Sequence, residues 1–92
     1  ADRAVRREDA LRAIELIKSE RRAILGGDVY VADGGRIESA YANWYSERRQ
    51  NELSERVVAR SCAETRAYIT NYPDPPQGQA LFVLVVEEGT ER

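Results

Sequence analysis

Between residues 8 and 22 the apolar side chains return at helical intervals. Ala10, Ala13, Ile14 and Ile17 stand at i, i+3, i+4 and i+7, and Leu11 and Leu16 widen the stripe. That spacing predicts an amphipathic helix. Gly26-Gly27 then ends the helical pattern, and Val29, Tyr30 and Val31 are residue types that suit a pleated surface, so a strand is expected from about residue 25. Asp33-Gly34-Gly35 tolerates positive φ and leads directly into a second strand-like run over residues 36–45. Residues 25–45 therefore read as a β-hairpin.

The length of the hairpin loop decides which side chains share a face, because a slip of one residue exchanges the faces of one strand against the other. A three-residue loop, with Gly35 left-handed in a bulge, pairs Ala32 with Arg36 and collects Val29, Val31, Ile37, Tyr41 and Tyr45 on one side. The other side then carries Asp28, Tyr30, Ala32, Arg36, Glu38, Ala40, Ala42 and Trp44. A two-residue loop would mix the valines with Arg36 and Glu38. The segregated arrangement is the expectation, with the first set as core and the second as an outer face.

Downstream, Asn51 reads as the cap of a second helix, with Glu52 and Glu55 in its first turn, where the helix dipole favours negative charge. Val58, Cys62, Thr65, Ile69 and Tyr72 keep helical spacing, and the proline-rich run from Tyr72-Pro73 onward stops the helix near Asn71. Residues 80–87 form the last strand, apolar on both faces: Leu81, Val83 and Val85 on one, Phe82, Leu84 and Val86 on the other. The order helix, hairpin, helix, strand predicts a single α+β domain over residues 1–92, with two helices packed on one face of a three-stranded sheet. In such a two-layer domain Phe82, Leu84 and Val86 would stay partly exposed, as a patch fit for a partner.

Composition narrows the function classes. A chain of 92 residues fits one domain, and with 42% hydrophobic and 33% charged residues it is too apolar to stay disordered. Fourteen Lys and Arg face sixteen Asp and Glu, so no net positive charge draws the chain to nucleic acid or to an anionic membrane. The longest apolar run, residues 80–86, is far below the ~20 residues of a membrane span. With Cys62 as the one cysteine and no histidine, neither a disulfide framework nor a Cys/His zinc site can form within the chain, and a cytoplasmic setting is expected.

Candidate chemistry is thin. Asp28 and Glu38 are two acids on one expected face, but they are not directly opposite, and nothing nearby predicts the burial that would raise one pKa. Cys62 has no histidine to activate it and reads as a small core residue in mid-helix. Gly26-Gly27-Asp28 follows a helix and precedes a strand, the reverse of a phosphate-binding loop. Asp28, Asp33 and Glu38 lack the spacing of a calcium loop. The clusters Arg3/Arg6/Arg7, Arg21/Arg22 and Arg48/Arg49 are interleaved with acids, as on solvated ion-pair surfaces. No enzyme and no cofactor is expected, and a protein-binding role is left as the reading. Asp28, Tyr30, Glu38 and Trp44 are its candidate contacts, since Tyr, Trp and charged groups on one face resemble an interface patch. Trp44 admits a second reading, as a ring packed under a loop or at a sheet edge.

The residues that carry this hairpin also resemble a known family. The run Ile24-Leu25-Gly26-Gly27-Asp28-Val29-Tyr30, then Asp33-Gly34-Gly35-Arg36-Ile37-Glu38 and Tyr41-Ala42-Asn43-Trp44-Tyr45, is similar to the immunity protein 40 family of bacterial polymorphic toxin systems. The likeness continues through Ala67-Tyr68-Ile69-Thr70-Asn71-Tyr72-Pro73 and Leu81-Phe82-Val83-Leu84-Val85. The resemblance implies a cytoplasmic, non-enzymatic protein that binds and neutralises a cognate protein toxin. The alternative is a structural homodimer whose strands pair across a symmetry axis and bury Phe82, Leu84 and Val86.

Overall fold

The computed structural model describes residues 3–88. Six elements follow one another: β1 (Val5–Arg6), α1 (Arg7–Ser19), β2 (Ile24–Asp33), β3 (Arg36–Tyr45), α2 (Ser54–Asn71) and β4 (Gln79–Val86). The α+β class holds, but the sheet has four strands, not three. They are ordered β1-β4-β2-β3 with every pair antiparallel. The additional strand is a two-residue piece in which Val5 faces Phe82 and Arg6 faces Leu81. Two residues are too few to show a period of two, and their partner lies at the other end of the chain, so the local pattern carried no sign of them.

Inserting β4 between β1 and β2 makes it an interior strand, which explains its apolar residues on both sides. Alternation along β4 sends Ala80, Phe82 and Leu84 toward the helices and Leu81, Val83 and Val85 to the other face. Phe82 is 0% exposed, so it belongs to the core and not to an open patch. Around it gather Ala10 and Ile14 from α1, Cys62 and Ile69 from α2, and Ile24, Val29 and Trp44 from the sheet. Both helices thus bury their stripes against the same side.

Local chemistry sets the ends of the helices. Helix α1 stops at Ser19, earlier than its apolar stripe suggested. Glu20 N–H donates to the Leu16 and Ile17 carbonyls at 3.1 Å, and Arg21 turns the chain at φ 60°. Gly26 and Gly27 lie inside β2 and do not end the helix. Helix α2 begins at Ser54 behind Leu53, which offers no capping side chain, and Asn51 instead occupies a turn at φ 63°. At the far end of α2, the Arg7 guanidinium donates to the Ile69 carbonyl and to the Tyr72 carbonyl at 2.9 Å. It also pairs with Asp74 at 2.7 Å and lies 5.5 Å above the Phe82 ring. One side chain from the start of α1 thereby satisfies the carbonyl end of α2.

Candidate functional site

The hairpin turns through two residues. Asp33 faces Arg36, and Gly34 and Gly35 carry φ of 60° and 83°, the pair of left-handed positions a type I′ turn requires. The expected three-residue loop is therefore corrected by one position, and the faces of β3 exchange accordingly. Farther along, Tyr30 faces Ser39 but Val29 faces Ala42, so Ala40 and Tyr41 stand unpaired in a bulge, with Ala40 packed against the core and Tyr41 at φ 57°. An insertion of two residues preserves the alternation. Val29 and Val31 point toward the helices as expected, whereas Ile37, Tyr41 and Tyr45, expected in the core, are 61%, 95% and 73% exposed.

The same correction carries Trp44 to the helix side. It stands opposite Gly27, where a Cβ would come within 2.3 Å of the indole ring, so the glycine makes the room the ring occupies. Trp44 Nε1–H donates to Thr65 Oγ1 at 3.0 Å, and the indole stacks on Tyr68 with centroids 4.6 Å apart. Tyr68, Tyr72 and Phe82 continue the aromatic row at 5.8 Å spacings. One turn before Thr65, Ser61 Oγ accepts the Ile24 N–H at 3.0 Å. Helix α2 thus meets the sheet through two buried hydroxyls, and no buried side-chain polar atom lacks a partner among the described residues.

Of the four candidate contacts, Asp28 and Tyr30 lie together on the face away from the helices. Glu38 lies on the helix side near the hairpin tip, exposed beyond the reach of the helices and paired with Arg36 at 3.0 Å. Trp44 lies in the core, 7% exposed. The structure therefore divides a set expected on one face into two. It adds to Asp28 and Tyr30 a group that the three-residue loop had assigned to the core: Ile37, Tyr41 and Tyr45 from β3. From β4 come Val83, Val85 and the nearly covered Leu81. The signal for these was present in Gly34-Gly35, a pair that favours the two-residue turn.

Beside this face, the connection from β3 to α2 is tied down by charge. The Arg60 guanidinium donates to both Glu52 oxygens at 2.7 Å, to Glu64 at 3.0 Å and to the Glu47 carbonyl at 2.8 Å. Glu52 also accepts the Arg49 N–H at 3.0 Å. These bonds, Arg60 first, hold the Glu52 carboxyl at about 2, below its ordinary 4.5. Against the loop opens a shallow cleft of about 360 Å³ lined by Trp44, Tyr45, Glu47, Arg49, Glu64 and Tyr68. Of its charged groups, Glu64 pairs with Arg49 at 3.7 Å and with Arg60 at 3.0 Å, which ties the loop to α2. Among the described residues no group of three or more His, Cys, Asp or Glu side chains is placed to hold a metal ion. Burial pushes the Cys62 thiol pKa up, away from the reactive thiolate.

The family model described as immunity protein 40 matches residues 1–86 of the 92. The chain belongs to the immunity protein 40 family. Its role is accordingly that of an immunity protein. No curated protein and no solved structure matches the chain. No helix among the described residues is long and apolar enough to cross a membrane. For this immunity protein 40 member, then, the question is which surface meets a partner. Of the exposed large apolar side chains, Leu16 lies on α1 and Leu53 before α2, whereas Ile37, Tyr41, Tyr45 and Val85 gather on the sheet face away from the helices, which no other layer covers among the described residues.

Proposed function

We propose that this immunity protein neutralises a cognate toxin of a bacterial polymorphic toxin system, in the cytoplasm, by laying the uncovered face of its sheet over the toxin's active or binding surface. One observation carries the reading: Tyr41 and Tyr45 stand 95% and 73% exposed on a face that neither helix covers. Tyrosines give large contact area for two side-chain torsions each, which is why they concentrate in binding surfaces. Tyr30 and Asp28 share that face. Glu38 reaches past its edge from the hairpin tip, and Trp44 acts from beneath by fixing β3 on α2. Inhibition of this kind needs a rigid shape that excludes substrate and requires no cofactor.

Coexpression with the toxin encoded beside the gene tests the proposal. The wild-type chain should copurify with that toxin and restore growth. The double variant Tyr41→Ala/Tyr45→Ala should bind at least about 30-fold more weakly, the loss expected of a hot spot. Unchanged affinity in a folded double variant would exclude this face.

The edge position of β3 favours a second reading, a homodimer joined edge to edge, because its outer side has no strand neighbour among the described residues. The bulge at Tyr41 and the charged Arg36 and Glu38 oppose long pairing there. A monomeric mass in sedimentation at micromolar concentration would remove it.

A further inference from the structure

Asp28 holds an unusual position among the carboxylates of this chain. Among the described residues, the acids without an ion pair are Glu8, Asp28, Asp33, Glu47, Glu55 and Glu88. Asp28 alone of these is half-buried; the other five are exposed to water. It sits in mid-sheet, opposite Asn43 on β3 and Val83 on β4, with Tyr30 and Leu81 one row away. On the outer faces of β2, β3 and β4 it is the one ionisable carboxylate or base. On this side of the sheet the strand base is Arg6, opposite Leu81, which stands two strands away and pairs with Asp9 at 3.9 Å.

A carboxylate in such a setting is tolerable while water reaches it. Once a partner covers the face, the remaining water is lost, and a charge closed into an interface without a counter-charge weakens binding strongly. Neighbouring side chains cannot supply the counter-charge. Asn43 is neutral, Val83 and Leu81 are apolar, and the tyrosines lend only a hydroxyl or a ring face. That ring face itself favours a cation.

Resting on the reading that this face docks the toxin, we infer that the toxin presents an arginine or lysine side chain to Asp28, seated among Tyr30 and the exposed tyrosines of β3. A toxin surface with a basic residue inside an otherwise apolar patch is the partner chemistry this face selects. The pair would also steer encounter and reject surfaces that bring an acid to the same point.

The experiment measures the affinity of the toxin encoded beside the gene for wild type, Asp28→Asn and Tyr41→Ala/Tyr45→Ala, at low and high sodium chloride, with urea midpoints as the folding check. Asp28→Asn should weaken binding at least about 10-fold at low salt and flatten the salt dependence seen with wild type. If Asp28→Asn binds within twofold of wild type while the tyrosine variant has lost affinity, Asp28 meets neutral donors and the inference fails, though the face stands. If neither variant loses affinity, the face itself is wrong. Should Asp28→Asn not fold, salt-independent binding of the wild type would overturn the inference.

Discussion

The two sides of the sheet are built from the same strands and differ in nearly every other respect. The helix side is saturated: Trp44 fills the space left by Gly27, Thr65 accepts its indole hydrogen, and Ser61 receives a strand amide. The outer side has aromatic rings in water and a half-buried acid without an ion pair among the described residues. The contrast separates two uses of the same residue types. An aromatic ring opposite a glycine and under a helix is structural, whereas one on an uncovered strand is available to another molecule.

That division can be broken by substitution. Trp44→Ala removes the ring from a closed site and should cost about 3–5 kcal/mol in urea unfolding, enough to leave much of a domain this small unfolded. A loss below about 1 kcal/mol would mean that the indole does not anchor β3 to α2. Thr65→Val keeps shape but strands the indole N–H, so a loss of about 1–3 kcal/mol is expected with binding surfaces unchanged.

The Arg60 network adds a pH-dependent share to the helix side. The Glu52 carboxyl is held at about 2 in the folded chain against an ordinary 4.5, so its contribution is present above about pH 4.5 and is lost as pH falls toward 2. Urea midpoints for Glu52→Gln should lie below wild type at pH 7 and converge with it in acid. A gap that does not shrink between pH 4.5 and pH 2.5 would point to packing instead of charge. The smallest effect belongs to the outer side. Tyr41→Ala/Tyr45→Ala should leave stability within about 0.5 kcal/mol while abolishing most binding, which would separate the two faces in one variant.

Much of the fold was legible locally. Both helices, the hairpin and the last strand announce themselves through spacing, glycine pairs and prolines. The helical stripes at Ala10, Ile14, Cys62 and Ile69 are the ones that enter the core. The strand Val5–Arg6 was not legible, because its existence depends on β4, some 75 residues later, presenting a free edge. The candidate site was half legible. Asp28 and Tyr30 lie where alternation along β2 put them, but segregation of charge from valine favoured the wrong turn. Glu38 and Arg36 tolerate the helix side only because the hairpin projects beyond the helices, along a molecule 44 Å in its longest dimension.

The sequence by itself determined both helices, the hairpin, the last strand and the two groups of residues alternating along β2, since these follow from period, turn chemistry and side-chain type within a few positions, and its runs carried the family resemblance. Tertiary structure decided which group of β3 residues faces water. That choice turns on one residue of register, on a bulge of two more, and on whether a glycine across the sheet leaves space for an indole. The register has a local sign in Gly34-Gly35, but the bulge and the match of glycine to indole are relations between strands and have no counterpart in the order of residues along either one.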